Sequence, residues 1–316
     1  MANLRELSRK DELLTGGHRA CAGCGAPVAV RQVLKAVDTP VVVGCATGCL
    51  EVTTTIYPYS AWNVPFIHSA FENVAATVSG IEAAYRSLKR QGRIQRDIQF
   101  VAFGGDGGTY DIGFQALSGA MERGHDMVYI CYDNQAYMNT GIQRSSATPR
   151  GAATTTSPAG RVATGGKSQY RKDLTAVMAA HDIPYVAQTT ISHWNDLITK
   201  VRKAFAVEGP AFVNILAPCR LGWQIDSADS IEICRKAVDT CFWPLYEVEN
   251  GVWKITVKPK EKKPITEWLR PQGRFRHLFK PGNEKIIEEI QADVDRRWEM
   301  LQKRCEVGGA GMMPRE

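Results

Sequence analysis

Five short runs of almost unbroken apolar residues recur along the chain, each followed by a polar break or a stretch of helical period. That alternation restricts the fold more than any other feature. TPVVVGCA (39–46), IQFVAFGG (98–105), MVYICYD (127–133), IPYVAQT (183–189) and AFVNILAP (211–218) are too continuously apolar for strands wetted on one face. Between them, NVAATVSGIEAAYRSLKRQG (73–92) places Val74, Val78, Ile81, Tyr85 and Leu88 on one helical face and stops at a glycine. DIGFQALSGAMERG predicts a second helix, starting at Asp111 and ending at Gly124. HWNDLITKVRKAFAVEG (193–209) predicts a third, with Ser192 as its N-cap. Strand and helix in repetition give the α/β class, a parallel sheet flanked by helices.

Two regions interrupt the pattern. Residues 138–170 form a Gly/Ser/Thr-rich stretch without periodicity, too long for an idle connection. Beyond residue 240 come GVWKITVKP, a proline-punctuated basic arm, and a closing helix over 282–303. That helix carries Ile286, Ile287, Ile290, Val294, Trp298 and Leu301 on one stripe, which must cover an apolar surface on this chain or a neighbour. The expected division is an α/β domain over 1–239 and a C-terminal extension over 240–316, with the extension and the 138–170 loop as subunit contacts.

Nine cysteines without an export signal point to reduced thiols, and so to metal or redox ligation ahead of a disulfide framework. A cytoplasmic location is expected from the charged N-terminal MANLRELSRKDELL. No apolar stretch approaches the roughly 20 residues of a membrane helix, so no membrane association is expected. A net charge of +6 is mild, and its basic residues are not interleaved with aromatics, so nucleic acid is not expected either.

The most specific motif spans GGDGGTYDIGFQALSGAMERGHDMVYICYDNQAYMNTG, residues 104–141. One strand ends in Gly105-Asp106-Gly107, and a second ends 28 residues later at Asn134. Both ends fall at the carboxyl edge of a parallel sheet, where such folds bind ligands. A carboxylate and an amide oxygen beside glycine backbone suit Mg²⁺ on a phosphate. Here the chain resembles the thiamine diphosphate enzymes. The resemblance implies that Asp106, the Asn134 side chain and the Ala136 carbonyl hold Mg²⁺ on the diphosphate. It also implies that Gly48, Cys49, Gly105, Gly107, Thr140 and Gly141 approach the cofactor, with Asn139 at its reacting end as the catalytic residue.

HRACAGCGAPVAV (18–30) sets Cys21 and Cys24 before a helix expected over 27–37, with Pro27 in its first turn. A helix N-terminus favours the thiolate, and Gly23 and Gly25 are expected to turn backbone N–H groups toward a bound group. Two thiols need two more, and Cys49 and Cys219 each follow a strand end. Cys45 and Cys131 lie within strands and are expected in the core; Cys234, Cys241 and Cys305 show no partner pattern. Spacing alone leaves zinc and iron–sulfur equally open. His18 is a conceivable further ligand, His68 is expected to be structural, and Glu72 and Asn73 are expected to begin a helix.

Cysteines and thiamine motif together, with CAGCGAP, ATGCLEVTTTIYPYSAWNVPFIHSAFENVAA, YDNQAYMNTGIQRSSATP and QGRFRHL, resemble the β subunits of the 2-oxoacid:ferredoxin oxidoreductases over nearly the whole chain. The resemblance implies one [4Fe–4S] cluster on Cys21, Cys24, Cys49 and Cys219, beside thiamine diphosphate and Mg²⁺. It implies oxidative decarboxylation of a 2-oxoacid, pyruvate foremost, with coenzyme A as co-substrate and ferredoxin as acceptor. 2-Oxoisovalerate, 2-oxoglutarate and oxalate are the alternatives. The implied partners are an α subunit with the pyrimidine-binding domain, and γ and ferredoxin-like δ subunits. Arg220 and Ala26 depart from the family's usual residues. Two rival readings are a non-redox thiamine-dependent decarboxylase subunit and a zinc or electron-carrier scaffold in which GDG is a turn.

Overall fold

Eight strands hydrogen-bond into one sheet in the computed structural model, which describes residues 3–161 and 165–308. The expected loop 138–170 and extension 240–316 fall partly outside those ranges, at 162–164 and 309–316. The strands are β1 Val41–Ala46, β2 Phe66–Ser69, β3 Gln99–Gly105, β4 Val128–Asp133, β5 Tyr185–Thr190, β6 Ala211–Leu216, β7 Leu245–Glu249 and β8 Val252–Val257. Their order is β2-β1-β3-β4-β6-β5-β7-β8. The first six in that order run parallel, while β7 and β8 add antiparallel at the β5 edge.

Period-two alternation within doubly buried strands explains the continuous apolar runs. Val43, Cys45, Val101, Phe103, Val128 and Ile130 belong to one core. It is closed by α2 (Gly25–Ala36), α7 (Trp194–Ala206) and α9 (Ser230–Asp239). Phe100, Ala102, Tyr129 and Cys131 face the opposite core, closed by α4 (Val74–Arg90), α5 (Phe114–Glu122) and α6 (Leu174–Ala179). The expected core thiols Cys45 and Cys131 are fully buried.

Two local expectations are corrected, and one strand is added. His193, not Ser192, occupies the N-cap of α7, and the Ser192 hydroxyl meets the His193 Nδ1 instead of a helix N–H. The helix expected from Asp111 begins earlier, in a π-helical turn over Gly107–Ile112, before α5 takes over at Phe114. Gly113 lets the two join, because a side chain there would collide with the Gly108 carbonyl. The short strand β2, half exposed, carries no apolar run that would announce it.

The closing helix, α11 (Glu284–Gly308), covers a surface of this chain: Ile290, Val294 and Leu301 are buried in the two cores. The position 239/240, expected to divide domain from extension, lies between α9 and β7, and β7 continues the same sheet.

Candidate active site

Strand order places the site. From β1 the chain leaves toward β2, and from β3 it leaves toward β4 on the other side, so a crevice opens between the carboxyl ends of β1 and β3. Gly48 and Cys49 follow β1, Asp106 follows β3, Asn134 follows β4 and Cys219 follows β6. All therefore emerge on one edge.

Gly48, Cys49, Gly105, Asp106, Gly107, Asn134, Ala136, Asn139 and Thr140 line one groove, of about 30 Å³. Gly141, at φ +120°, lies one residue beyond that lining. Thr47, Phe71, Gly108, Tyr132, Tyr137 and Met138 complete it, none of them singled out from the sequence. Gly107 is required there because a Cβ would sit 2.5 Å from the Tyr137 ring, which stacks on Phe71.

Asp106 is wholly buried at the floor. Its Oδ1 accepts the backbone N–H of Asn134 (3.2 Å) and of Gln135 (3.1 Å), and its Oδ2 accepts the Ser145 hydroxyl. Burial, with the Asp133 carboxylate facing it, nonetheless holds its pKa well above the usual carboxylate range. A nearby cation would reverse that balance.

Asn134 tests whether the residues present fit one. One terminal atom of its amide lies 2.9 Å from both Asp106 Oδ1 and the Ala136 carbonyl oxygen. With the NH₂ there, both contacts are hydrogen bonds. With the oxygen there, three oxygens converge, which is favourable only around a shared cation. Adjacent ligands of an octahedral Mg²⁺ at 2.0–2.1 Å lie about 2.9 Å apart. The donor set thus fits the metal.

Cys21, Cys24, Cys49 and Cys219 line a second cavity, of about 120 Å³, otherwise walled by apolar groups such as Pro27, Leu50, Ile142 and Leu221. Arg220 and Ala26 also line it; His18 does not. The thiols ring a space rather than a point. Among the described residues, no three His, Cys, Asp or Glu side chains gather around a single ion. Four sulfurs spread around a cavity suit a multinuclear core, in which each thiolate meets its own iron.

Two expectations about this loop are corrected. Gly25 does not turn its N–H toward the cavity; it donates to the Pro218 carbonyl (3.0 Å) and fixes Cys24 beside Cys219. Gly23 and Gly25 are needed for close approach instead, since a Cβ would fall 2.6 Å from Ser227 O and 2.7 Å from Ala217 C. The helix N-terminus does not win the thiolate: the Ala26 N–H lowers the Cys24 pKa as expected, but burial outweighs it and pushes Cys24 up to about 11 and Cys49 up to about 12, and the other thiols add repulsion. Desolvation outweighs the dipole until a cationic core is present.

Cys49 and Met138 line both spaces, so groove and cavity adjoin. Residues missed from the sequence hold the arrangement. Ser146 bonds Asp111, Thr148 donates to the Gln135 carbonyl (2.6 Å), and Lys167 donates to Thr148 O, so the 138–170 stretch clamps the groove floor. His68 hydrogen-bonds Thr47 (2.6 Å) at the rim, and Asn73 begins α4 at its N-cap position as expected, its side chain accepting from Ser69. A larger cavity, about 430 Å³, lies between α11 and the β5–β7 region. Its arginines are engaged locally, Arg150 with Glu289 and Tyr170, Arg296 and Arg297 with Asp293, and Arg304 with Trp253.

Residues 42–215 match the family described as thiamine pyrophosphate enzyme, C-terminal TPP binding domain. The chain is 54% identical over 294 residues to pyruvate synthase subunit PorB of Methanocaldococcus jannaschii, covering 92% of this chain and 97% of that one. It is 50% identical over 303 residues to the Thermotoga maritima PorB, covering 94% and 93%. Ketoisovalerate oxidoreductase subunit VorB of Pyrococcus furiosus is 46% identical over 301 residues, covering 95% of each. A solved 2-oxoglutarate:ferredoxin oxidoreductase from Magnetococcus marinus, with 2-oxoglutarate, coenzyme A and succinyl-CoA bound, shares the fold. Its TM-score is 0.54 at 20% identity, over 74% of this chain and 81% of that one. With a groove at the switch point of its sheet and such relatives over more than nine-tenths of its length, the chain belongs to the pyruvate:ferredoxin oxidoreductase β-subunit family, within the thiamine pyrophosphate-binding 2-oxoacid:ferredoxin oxidoreductases.

Proposed function

We propose that the chain is the cofactor-bearing β subunit of an enzyme that converts pyruvate, coenzyme A and oxidised ferredoxin to acetyl-CoA, CO₂ and reduced ferredoxin. The observation that carries this reading is the adjacency of a cation-and-phosphate groove and a four-thiol cavity through Cys49 and Met138. Asp106, the Asn134 amide oxygen and the Ala136 carbonyl would hold Mg²⁺. Gly48, Gly105, Gly107, Thr140 and Gly141 offer close backbone to thiamine diphosphate, with Asn139 toward the reacting end. Cys21, Cys24, Cys49 and Cys219 would hold one [4Fe–4S] cluster. When bound, thiamine diphosphate supplies an electron sink for loss of CO₂, and the cluster accepts electrons singly.

This chain's own contribution is positional. Loading the cysteines requires that the raised thiols give up their protons. The apolar walls then limit water at the sulfurs of Cys24, Cys49 and Cys219, while Cys21 stands exposed, and this balance tunes the cluster's potential. A groove of about 30 Å³ cannot enclose a whole cofactor, since ligand pockets run to roughly 300–1,000 Å³. The remaining wall belongs to an α subunit with a pyrimidine-binding domain, and onward electron transfer to γ and ferredoxin-like δ subunits and to ferredoxin. We place the complex in the cytoplasm; no helix among the described residues is long and apolar enough to cross a membrane.

The test is reduction of ferredoxin by the purified complex, with pyruvate and with or without coenzyme A, alongside iron and sulfide analysis. Pyruvate-dependent reduction that needs coenzyme A is expected. A colourless, iron-free complex that releases CO₂ without reducing ferredoxin would overturn the reading in favour of a non-redox decarboxylase. The VorB relative supports 2-oxoisovalerate as a second substrate reading. A kcat/KM higher for that acid than for pyruvate would establish it.

A further inference from the structure

Arg274 lies in the 3₁₀ segment Gly273–Phe279, far in sequence from both spaces, yet it is buried beneath them. Its hydrogen bonds go to two neutral side chains, Nη2 to Gln135 Oε1 (2.6 Å) and Nε to Gln272 Oε1 (2.9 Å). Its guanidinium stacks 4.0 Å from the centre of the Trp223 ring. The acidic groups facing it are Asp133, Asp106 and Cys219, which bracket both spaces.

Two of those contacts lead to the cofactor sites, Gln135 to the groove and Trp223 to both groove and cavity. Gln135 stands between Asn134 and Ala136 and is held at φ +69°, a left-handed conformation that a non-glycine residue adopts only under constraint. Its N–H points to Asp106 (3.1 Å) and Asp133 (3.0 Å), so its conformation sets where the Asn134 amide and Ala136 carbonyl aim. Trp223 donates through Nε1 to the Asn134 carbonyl (2.7 Å). The same Trp223 closes α8 (Arg220–Trp223), and its backbone N–H bonds the Cys219 carbonyl (2.9 Å). Within α8, Gly222 N–H donates to the Cys219 sulfur (3.4 Å). A side chain at Gly222 would collide with Met138, which lines both spaces.

We infer that Arg274 is a positioning residue that couples the two cofactor sites, gripping the 134–136 segment through Gln135 and the Cys219 turn through Trp223, so that occupancy of one site strengthens retention at the other. The inference rests on the proposed function. Only a planar cation can donate to Gln135 while stacking on an indole face; lysine keeps the charge and loses the geometry. Coupling of this kind is reciprocal.

The test uses the anaerobically purified complex, freed of thiamine diphosphate but retaining iron. Iron release to a chelator is timed with and without saturating thiamine diphosphate and Mg²⁺, and the affinity for that probe is read by fluorescence. In wild type the probe should slow iron release about tenfold. Arg274→Met should bring the ratio close to one and weaken probe binding by a similar factor. Trp223→Phe, which keeps an aromatic face and loses Nε1, should lower the ratio, and Arg274→Lys should retain part of it. A wild-type ratio near one overturns the proposal, and so does a wild-type-like ratio in Arg274→Met. Should Arg274→Met fail to assemble, unchanged ratios in Arg274→Lys and Trp223→Phe overturn it equally. A wild-type complex that binds no probe or holds no iron would sink the cofactor reading itself, before any variant is made.

Discussion

The diphosphate groove and the cysteine cavity share one sheet edge and two lining residues, yet they are built on opposite principles. In the groove, polar atoms are tied down without any ligand: Asp106 accepts three donors, Trp223 holds the Asn134 carbonyl, and Thr148 holds that of Gln135. In the cavity, only backbone N–H groups, of Ala26 at Cys24 and of Leu221 and Gly222 at Cys219, support sulfurs that otherwise face mostly apolar walls. Burial there favours neutral thiols at Cys24, Cys49 and Cys219. The fold therefore pre-forms the groove, while the cavity, if it takes the proposed cluster, would reach its working state only once loaded.

The largest expected effect falls on the pre-formed side. Asp106→Asn should weaken Mg²⁺-dependent thiamine diphosphate binding more than about 100-fold, since even outer-shell changes at metal sites cost about 10–100-fold. Thermal unfolding of the unloaded protein should not fall, because burial and the facing Asp133 already disfavour an ionised Asp106, and a neutral amide escapes that penalty. Titration of the variant with cofactor checks the first statement and calorimetry the second. Near-native binding would show that the groove is not organised around this carboxylate.

Next comes the cavity. Cys219→Ala should abolish cluster retention, measured as iron content and visible absorbance, while thiamine diphosphate binding falls by no more than about tenfold, the size of the coupling alone. Loss of both by 100-fold would erase the contrast, because the groove would then depend on the cluster for its shape.

How much of this was legible in the sequence follows from the range of each contact. The buried strands announced themselves because both their faces are apolar, and their ends fixed where Asp106, Asn134, Cys49 and Cys219 emerge. Ser145 was invisible: it belongs to a stretch without periodicity, and its tie to Asp106 spans 39 positions. Arg274 was seen within QGRFRHL, but nothing local says that its partner is Gln135, 139 positions away. The π-helical turn after Gly107 depends on tertiary fit around Phe71 and Tyr137. The role of Gly25 is not legible locally, because its neighbour, the 217–218 backbone, arrives from the far end of the domain.

A third effect separates the regions by pH. Asp133 is wholly buried, and desolvation pushes its pKa up to about 6 against the pull of Arg171 and the Tyr110 hydroxyl. A folded value above the unfolded one means that the folded chain holds the proton more tightly. Its contribution to stability is complete below about pH 4 and is lost as pH rises through about 6. Denaturant midpoints of the unloaded protein should show this fall, and Asp133→Asn should flatten it. A profile unchanged by the substitution would assign the slope elsewhere.

The smallest effect lies on the cysteine side and has the opposite sign. Glu12 pairs with Arg31 (2.8 Å) and Lys35 (3.0 Å) of α2, the helix that carries Cys24 at its N-cap. The Arg31 hydrogen bond lowers its pKa from 4.5 to about 2 despite some desolvation. The contribution is therefore full above about pH 4.5 and disappears as pH falls through about 2. Because the pair is largely exposed, Glu12→Gln should cost about 0.2–1 kcal/mol at pH 7 and nothing near pH 2, read from urea midpoints at both values. Iron retention should not change, since α2 is seated by Val30, Val33 and the Gly25–Pro218 bond rather than by its surface charges. Faster iron loss in Glu12→Gln would mean that the thiol cavity rests on marginal surface contacts, and the contrast with the groove would sharpen into a difference in stability as well as in preorganisation.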